Sequence, residues 1–519
     1  MFNYIKKIRS LILRNDFEKK FTKNYTNFST IKSNKKKTKS KKIILFQAPM
    51  DYFFVLLTRT IIVERHLNDH LIGSWPYYIK PLKKRFFFIS QIFHYTKNIF
   101  LFSLLRNKWK SIYKQNNINL SEDFSSYNLR SVLFSLKNIQ VITNKIKSKR
   151  DILKIKFKGI DIGDLIFDTY IRYRAVPTVN VNDFFLKYII FKTLIIFNNC
   201  SEFTKKNNIE VYYTSYASYL THGLLVRILL SKKIKIYSLS SYYGENYITL
   251  LNNKRLQATK NYKYLYKKFN SEKNQERKIN IARASLEKRF YENGDYLTKY
   301  LNIKANYKFS KINNFNYEGV VFLHDFYDAP REIGLRLFSD FYEWFEFLNY
   351  ITKKNDLNFA FKFHPNTKPE SIAFNNYLKK KFHTKFLNST ISNMAIYKNK
   401  HFKVGISACG SVLHELIFFK KIPIYLSNNL ITPLNIHKLP KNKKEYENLI
   451  VNYNKIKISN NMIKNMLKIY YMTINDQSDL SCSIVKKINL KNGDFSNISD
   501  INNYAEKIEF KINKLLTNK

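Results

Sequence analysis

Only three cysteines, Cys200, Cys409 and Cys482, occur in the 519 residues, far apart and without the spacing of a metal site. They indicate free thiols in a reducing compartment. There is no Asp-x-Asp, His-Glu-x-x-His or clustered Cys/His set, so no metal is expected. GxGxxG and P-loop patterns are also missing, which removes support for dinucleotide binding or NTP hydrolysis. No stretch of about eighteen uncharged apolar residues is found, so no spanning helix is predicted; Phe86–Leu105 comes nearest, but His94 and Lys97 interrupt it. The start, MFNYIKKIRSLILRNDFEKK, breaks its apolar residues with charge and does not read as a secretory signal. A cytoplasmic protein is the expectation.

Acidic residues are scarce too: 38 Asp and Glu stand against 90 Lys and Arg, a net charge of +52. Such an excess favours anionic partners, namely nucleic acid, lipid headgroups or phosphorylated substrates. The joint abundance of Lys, Asn, Ile, Tyr and Phe is also what an AT-rich genome produces. With 45% hydrophobic residues, 43 Phe and 38 Tyr, the chain has ample material for a packed core. Its length calls for more than one domain.

Residues 1–42 read as a basic appendage. Ile5, Ile8, Leu11 and Leu13 suit a short amphipathic helix, and Lys32, Lys35, Lys36, Lys37, Lys39, Lys41 and Lys42 follow. This segment is either an anchor to an anionic membrane face or a solvated tail. From Ile43 a first α/β region begins, with a strand at 43–46 and a helical stretch to about His70. A helical stretch at 86–118 and a polar stretch near 120–128 follow. A long apolar helix at 184–205 then leads to strand, helix and strand at 210–214, 216–231 and 234–239. Residues 252–315 are rich in Lys, Asn, Arg and Glu and read as helices and linker. A second region gives strands at 320–323, 357–363, 385–387, 402–406 and 422–426, with helices at 331–354, 368–381 and 411–420. That alternation is the pattern of a doubly wound parallel sheet. The expected domains are therefore 1–42, 43–310, 311–460 and C-terminal helices over 461–519.

Three strand ends gather chemistry, and ligands of open α/β sheets bind beyond the carboxyl ends of strands. In Phe361-Lys362-Phe363-His364-Pro365, the proline holds His364 extended. Lys362 and His364 then fall on one face of the strand, facing a phosphate or base, unless the histidine is merely structural. In Ser407-Ala408-Cys409-Gly410-Ser411, glycine permits close backbone approach and the next helix offers free N–H groups. Glu415, one turn on, suits ribose hydroxyls; the plainer reading is an ordinary helix cap. In His324-Asp325-Phe326-Tyr327-Asp328-Ala329-Pro330, an imidazole and two carboxylates suit acid–base work, or Asp328 caps a helix starting near Arg331. Upstream, Gly159 to Tyr170 contains Asp161, Asp164 and two glycines, by default a turn.

These motifs together resemble the glycosyltransferases associated with capsule polysaccharide biosynthesis and export. The residues that carry the likeness are His324 to Pro330, Lys362 to Pro365, Gly410-Ser411 with Glu415, Lys421 to Tyr425, and Gly163 to Tyr170. The His-Pro and serine elements are also similar to those of bacterial polysialyltransferases and polyol-phosphate polymerases. The resemblance covers roughly 155–430. It implies an α/β, GT-B-like architecture: two doubly wound parallel-sheet domains facing a cleft, with C-terminal helices. It further implies a metal-independent transferase that builds a surface polysaccharide without a cofactor, from a nucleotide-sugar donor to a glycan or glycolipid acceptor. Donor contacts fall on Lys362, His364, Pro365, Ser407, Gly410, Ser411 and Glu415, and the candidate bases are His324, Asp325, Asp328 and Asp164. A location at the inner membrane face accords with the appendage. Two departures stand out: Phe363 separates Lys362 from His364, and His414-Glu415-Leu416 replaces a more usual Glu-Ala-Leu. A polyol-phosphate transferase or nucleotide-sugar epimerase on the same fold is the alternative, as is a basic nucleic-acid-binding protein. The last is disfavoured by dispersed lysines and the lack of an RNP1-type motif.

Overall fold

The computed structural model describes residues 42–47, 69–74, 118–122, 124–240, 247–252, 262–291, 315–332, 334–364, 369–389 and 391–475. The expectations for residues 1–41, the helical stretches expected over 48–68 and 86–117, Pro365 and the segment beyond Asn475 lie outside these. The chain divides into two compact units. One is built on residues up to Thr169 and from Val181 to Thr259, the other on Tyr170–Asn180 and Lys260–Asp476.

In the first unit, Ile43–Gln47 (β1), His70–Ser74 (β2) and Asn119–Glu122 (β3) form one side of a sheet. Helices Leu129–Thr143 (α1) and Lys149–Leu153 (α2) precede a small hairpin, Lys156–Phe157 (β4) and Ile160–Asp161 (β5). Helices Gly163–Arg174 (α3) and Phe184–Lys206 (α4) lead to Ile209–Thr214 (β6), Tyr219–Ser231 (α5), Lys235–Ser240 (β7) and Tyr247–Leu250 (β8). The sheet order is β3-β2-β1-β6-β7-β8, parallel except for β8. This is a doubly wound arrangement whose order reverses between β1 and β6.

Among the described residues α4 alone is long and apolar enough to cross a membrane, yet 67% of its apolar window is buried. It packs against α1 and α5 as a core helix. Its one buried lysine, Lys192, donates to the Ser125 carbonyl at 2.5 Å and lies 3.8 Å from the Tyr127 ring centre. Those contacts replace the water it loses.

The second unit begins with helices Tyr262–Phe269 (α6) and Gln275–Tyr291 (α7). Then come Gly319–Phe322 (β9), Phe341–Lys354 (α8), Phe359–Lys362 (β10), Pro369–Lys381 (α9), Phe386–Leu387 (β11) and Asn393–Lys398 (α10). Val404–Ile406 (β12), Val412–Phe418 (α11), Ile422–Ile424 (β13), Lys443–Val451 (α12) and Asn460–Tyr470 (α13) complete it. Five parallel strands run β11-β10-β9-β12-β13, with the order reversing between β9 and β12. β9, β10 and β12 are buried throughout, which is why they read in sequence as apolar runs, broken only by Lys362 at the end of β10. Phe269, Ile279, Ala282, Leu286 and Phe290 join the same core as Val320, Phe322, Met466 and Leu467. Helices α6 and α7 therefore belong with the second sheet, whereas the sequence placed the boundary near 310.

Other expectations shift. The helix anticipated at 331–354 starts only at Phe341, because the Asp340 carboxylate caps it by accepting from the Glu343 N–H at 2.7 Å. Asp328 therefore caps no helix. The Gly159–Asp164 stretch is not a single turn. Lys158 and Gly159, both at positive φ, close the β4–β5 hairpin, and α3 starts at Gly163. A Cβ at Gly163 would lie 1.9 Å from the Ile152 carbonyl oxygen, so only glycine fits there. Strands β2, β3 and β8 were not anticipated.

Asp164, in the first turn of α3, makes a bidentate pair with Arg227 of α5, whose guanidinium also donates to the Asp161 carbonyl. Arg227 is buried and Asp164 partly so. Asp164→Asn should lower stability to urea by about 1–3 kcal/mol. An unchanged unfolding midpoint would show that the pair does not hold α3 against α5.

Candidate functional site

The strand-order reversal between β9 and β12 brings three chain segments to one edge of the second sheet. Lys362 of β10 pairs with Phe322 of β9, and Val321 of β9 pairs with Ile406 of β12. Two residues beyond the first pair stand His364 and His324; beyond Ile406 runs Ser407–Ser411. Crevices of this kind hold ligands in open α/β sheets because the strand-end loops part there.

His324 Nε2 lies 2.9 Å from the Cys409 carbonyl oxygen, and its ring stacks on Phe341 at 5.1 Å. Burial, reinforced by nearby His364, lowers its pKa to about 4, against the opposing pull of the Cys409 carbonyl, Asp328 and Asp325. The imidazole is thus neutral at physiological pH. Facing a carbonyl, Nε2 is the protonated nitrogen, which leaves the Nδ1 lone pair able to accept a proton. Cys409 Sγ is 3.6 Å from the same Nε2. Burial, with Asp328, pushes the thiol up to about 12, so it stays protonated.

Ser407 Oγ donates to the Cys409 carbonyl at 2.8 Å and Ser427 Oγ to the Ala408 carbonyl at 2.9 Å, so the backbone of this turn is well tied. Gly410 sits at φ +119°, where side chains are strained, and a Cβ there would meet nothing within 4 Å. The turn therefore presents open backbone. The following helix spans only seven residues, so dipole stabilisation of an anion is small and the side chains must do more.

Beneath the turn lies a charged cluster. Glu415, 2% exposed, pairs with Arg289 of α7 at 3.1 Å and accepts from Tyr397 OH at 2.8 Å. Arg289 Nη2 also donates to Ser411 Oγ at 2.9 Å. Lys362 is buried as well; its Nζ donates to the Ser389 carbonyl at 3.3 Å and feels the Glu415 charge. Glu415 therefore lies inside the fold, held by these partners, where the sequence suggested a ribose contact. Asp325 accepts from Tyr327 N–H at 3.1 Å and Ser371 Oγ at 2.8 Å, and Asp328 lies 3.7 Å from Arg172. Asp164 belongs to the first unit, paired as described.

The structure thus gathers His324, Asp325, Asp328, His364, Ser407, Gly410 and Ser411 at one edge, with Lys362 and Glu415 just inside. Sequence reading missed Arg289. The signal was present: Ile279, Ala282, Leu286 and Phe290 mark the buried stripe of α7, and Arg289 falls on it. A charge at a core-facing helical position needs a buried partner. Among the described residues, no three His, Cys, Asp or Glu side chains cluster as metal ligands would.

Neither a protein-family model nor a curated protein matches this sequence. Among solved structures, the chain is similar to UDP-GlcNAc 2-epimerase from Neisseria meningitidis bound to UDP-GlcNAc. Identity is 10%, 87% of this chain and 99% of that one are covered, and the TM-score is 0.27. The enzyme of the same name from Methanocaldococcus jannaschii, in complex with UDP-GlcNAc and UDP, gives 13%, 82%, 98% and 0.25. At such TM-scores neither likeness adds to the fold and site described above.

Burial lowers the pKa of Lys362 from 10.5 to about 8, with Glu415 acting in the opposite direction. Between those values the unfolded chain holds the proton that the folded one has lost, so stability rises with pH across the window. Relative to Lys362→Met, the wild-type protein should gain stability from about pH 8 to 10.5 and show a constant difference below it. Urea unfolding over a pH series tests this, and parallel profiles throughout would refute it.

Proposed function

We propose that this chain is a glycosyltransferase that uses a nucleotide-activated sugar to extend a surface polysaccharide on a glycan or glycolipid acceptor. The observation that carries the reading is the convergence of His324, His364 and the open Ser407–Ser411 turn at the reversal point of the second sheet. The turn and Ser411 offer donors to phosphate oxygens, and His364 adds an imidazole on the neighbouring strand. Lys362 and Arg289 against Glu415 leave one buried positive charge in excess, which favours an anionic leaving group. His324, neutral with its Nε2 engaged by the Cys409 carbonyl, is the best-placed base for an acceptor hydroxyl. Asp325 and Asp328 stand close enough to stabilise the imidazolium that forms. The segment 1–42 would hold the enzyme at an anionic membrane face through its lysines.

Three measurements test this. A thermal-shift screen against CMP, CDP, UDP, GDP and their sugars should find one nucleotide that raises the melting temperature. With that donor, His324→Ala, His364→Ala and Ser411→Ala should each cut transfer about 10²–10⁴-fold while the unfolding midpoint is kept. Wild-type turnover in all three would sink the site, and a product of donor mass with altered stereochemistry would make the enzyme an epimerase. For the appendage, a protein lacking 1–42 should no longer sediment with phosphatidylserine vesicles; undiminished binding would remove the membrane role.

A further inference from the structure

The geometry points to Arg289 as a positioning residue of the strand-end site: its guanidinium ties the Ser411 hydroxyl to the buried Glu415 carboxylate and so leaves that hydroxyl's proton for a ligand oxygen. One nitrogen, Nη2, makes both contacts, to Ser411 Oγ at 2.9 Å and to Glu415 Oε1 at 3.1 Å. The first contact is a hydrogen bond and the second an ion pair. A serine oxygen that accepts from a guanidinium keeps its own hydrogen to donate, and the hydroxyl is polarised toward donation by the adjacent positive charge. Glu415 cannot swing away, because its second oxygen accepts from Tyr397 OH at 2.8 Å. Arg289 is itself fixed at the end of the buried stripe of α7, with Phe290 against Phe418 and Phe419. The helix at 275–291 thereby sets the orientation of a side chain on a loop more than a hundred residues away in sequence. The ligand is of the phosphate-oxygen class, and only that part of the inference rests on the nucleotide-sugar reading.

Hydrogen exchange of the 408–413 amides and nucleotide affinity separate the two parts. Ser411→Ala keeps the Arg289–Glu415 pair and should fold. It and Arg289→Lys should each speed exchange of the turn about tenfold, the change expected when one charge-assisted hydrogen bond is lost. The double variant should exchange no faster than Arg289→Lys alone, since both substitutions remove the same bond. Wild-type exchange in Ser411→Ala, or a double variant showing the product of the two single effects, would overturn the assignment, whatever Arg289→Lys does to the fold. By calorimetry with UDP and CDP, both single variants should lose about tenfold in affinity for whichever nucleotide the wild type binds, again without additivity. Full affinity in Arg289→Lys would also overturn it. A wild-type protein that binds none of CMP, CDP, UDP and GDP defeats the nucleotide-sugar reading, and the exchange rates then decide the positioning role.

Discussion

A buried ion pair governs the interior of the second unit. Removing a carboxylate and a guanidinium from water costs several kcal/mol per ion, recovered only with good geometry and further hydrogen bonds. Glu415 and Arg289 meet that condition through Tyr397, Ser411 and the nearby Lys362. The requirement links four separate stretches of chain: α7, β10, α10, and the turn after β12 with α11. The strand-end turn is thus joined to the core by charge as well as by backbone, which restrains the loop against which a ligand would sit.

The reversal of strand order supplies the other half of the arrangement. In each unit the two strands flanking the reversal carry polar groups at their carboxyl ends, yet the chemistry differs. In the first unit, Gln47 Oε1 accepts from Thr214 Oγ1 at 2.7 Å and from Ser215 N–H at 3.0 Å, while Ser74 Oγ donates to the Phe46 carbonyl at 3.2 Å. These neutral groups satisfy one another, as buried polar groups must. In the second unit the corresponding end carries imidazoles, an open glycine and a surplus of buried positive charge. A mutually satisfied neutral cluster braces a sheet; the one in the second unit is built of charged groups, with Asp325 and Asp328 beside the buried cations.

The second sheet was legible in sequence because both its faces are covered, so β9 and β12 are apolar at every position, β10 is apolar up to Lys362, and helices separate them. The edge of the first sheet was not. β3 reads Asn-Leu-Ser-Glu and β8 is a short antiparallel edge strand, and neither displays the period of a half-buried strand. The late start of α8 escaped because 331–340 has helix-like apolar spacing. The structure resolves the competition through Asp340, whose carboxylate caps the helix and accepts from Thr178 at 2.7 Å, a contact from a distant segment. The strand-end residues were legible because position after a strand is a local property. Their partners were not: Arg289 lies in a lysine- and arginine-rich stretch, where composition suggests a solvated linker and only the stripe marks it as buried. The true surroundings of Glu415 likewise depend on α7 and α10, which no short motif encodes.

Protonation states follow from the same burial. His324 and Cys409 touch, yet desolvation drives the imidazole's pKa down and the thiol's up, so proton transfer between them to make an imidazolium–thiolate pair is doubly disfavoured. A cysteine at such a place would otherwise suggest a nucleophile. Here it is a neutral neighbour whose carbonyl, rather than its sulfur, fixes the histidine tautomer. Charge in the site is accordingly carried by Lys362 and Arg289 from below and by Asp325 and Asp328 from the side. The imidazole between them is uncharged at neutral pH. That division puts the fixed positive charge where a phosphate would lean, and leaves the titrating group where an alcohol would lose its proton.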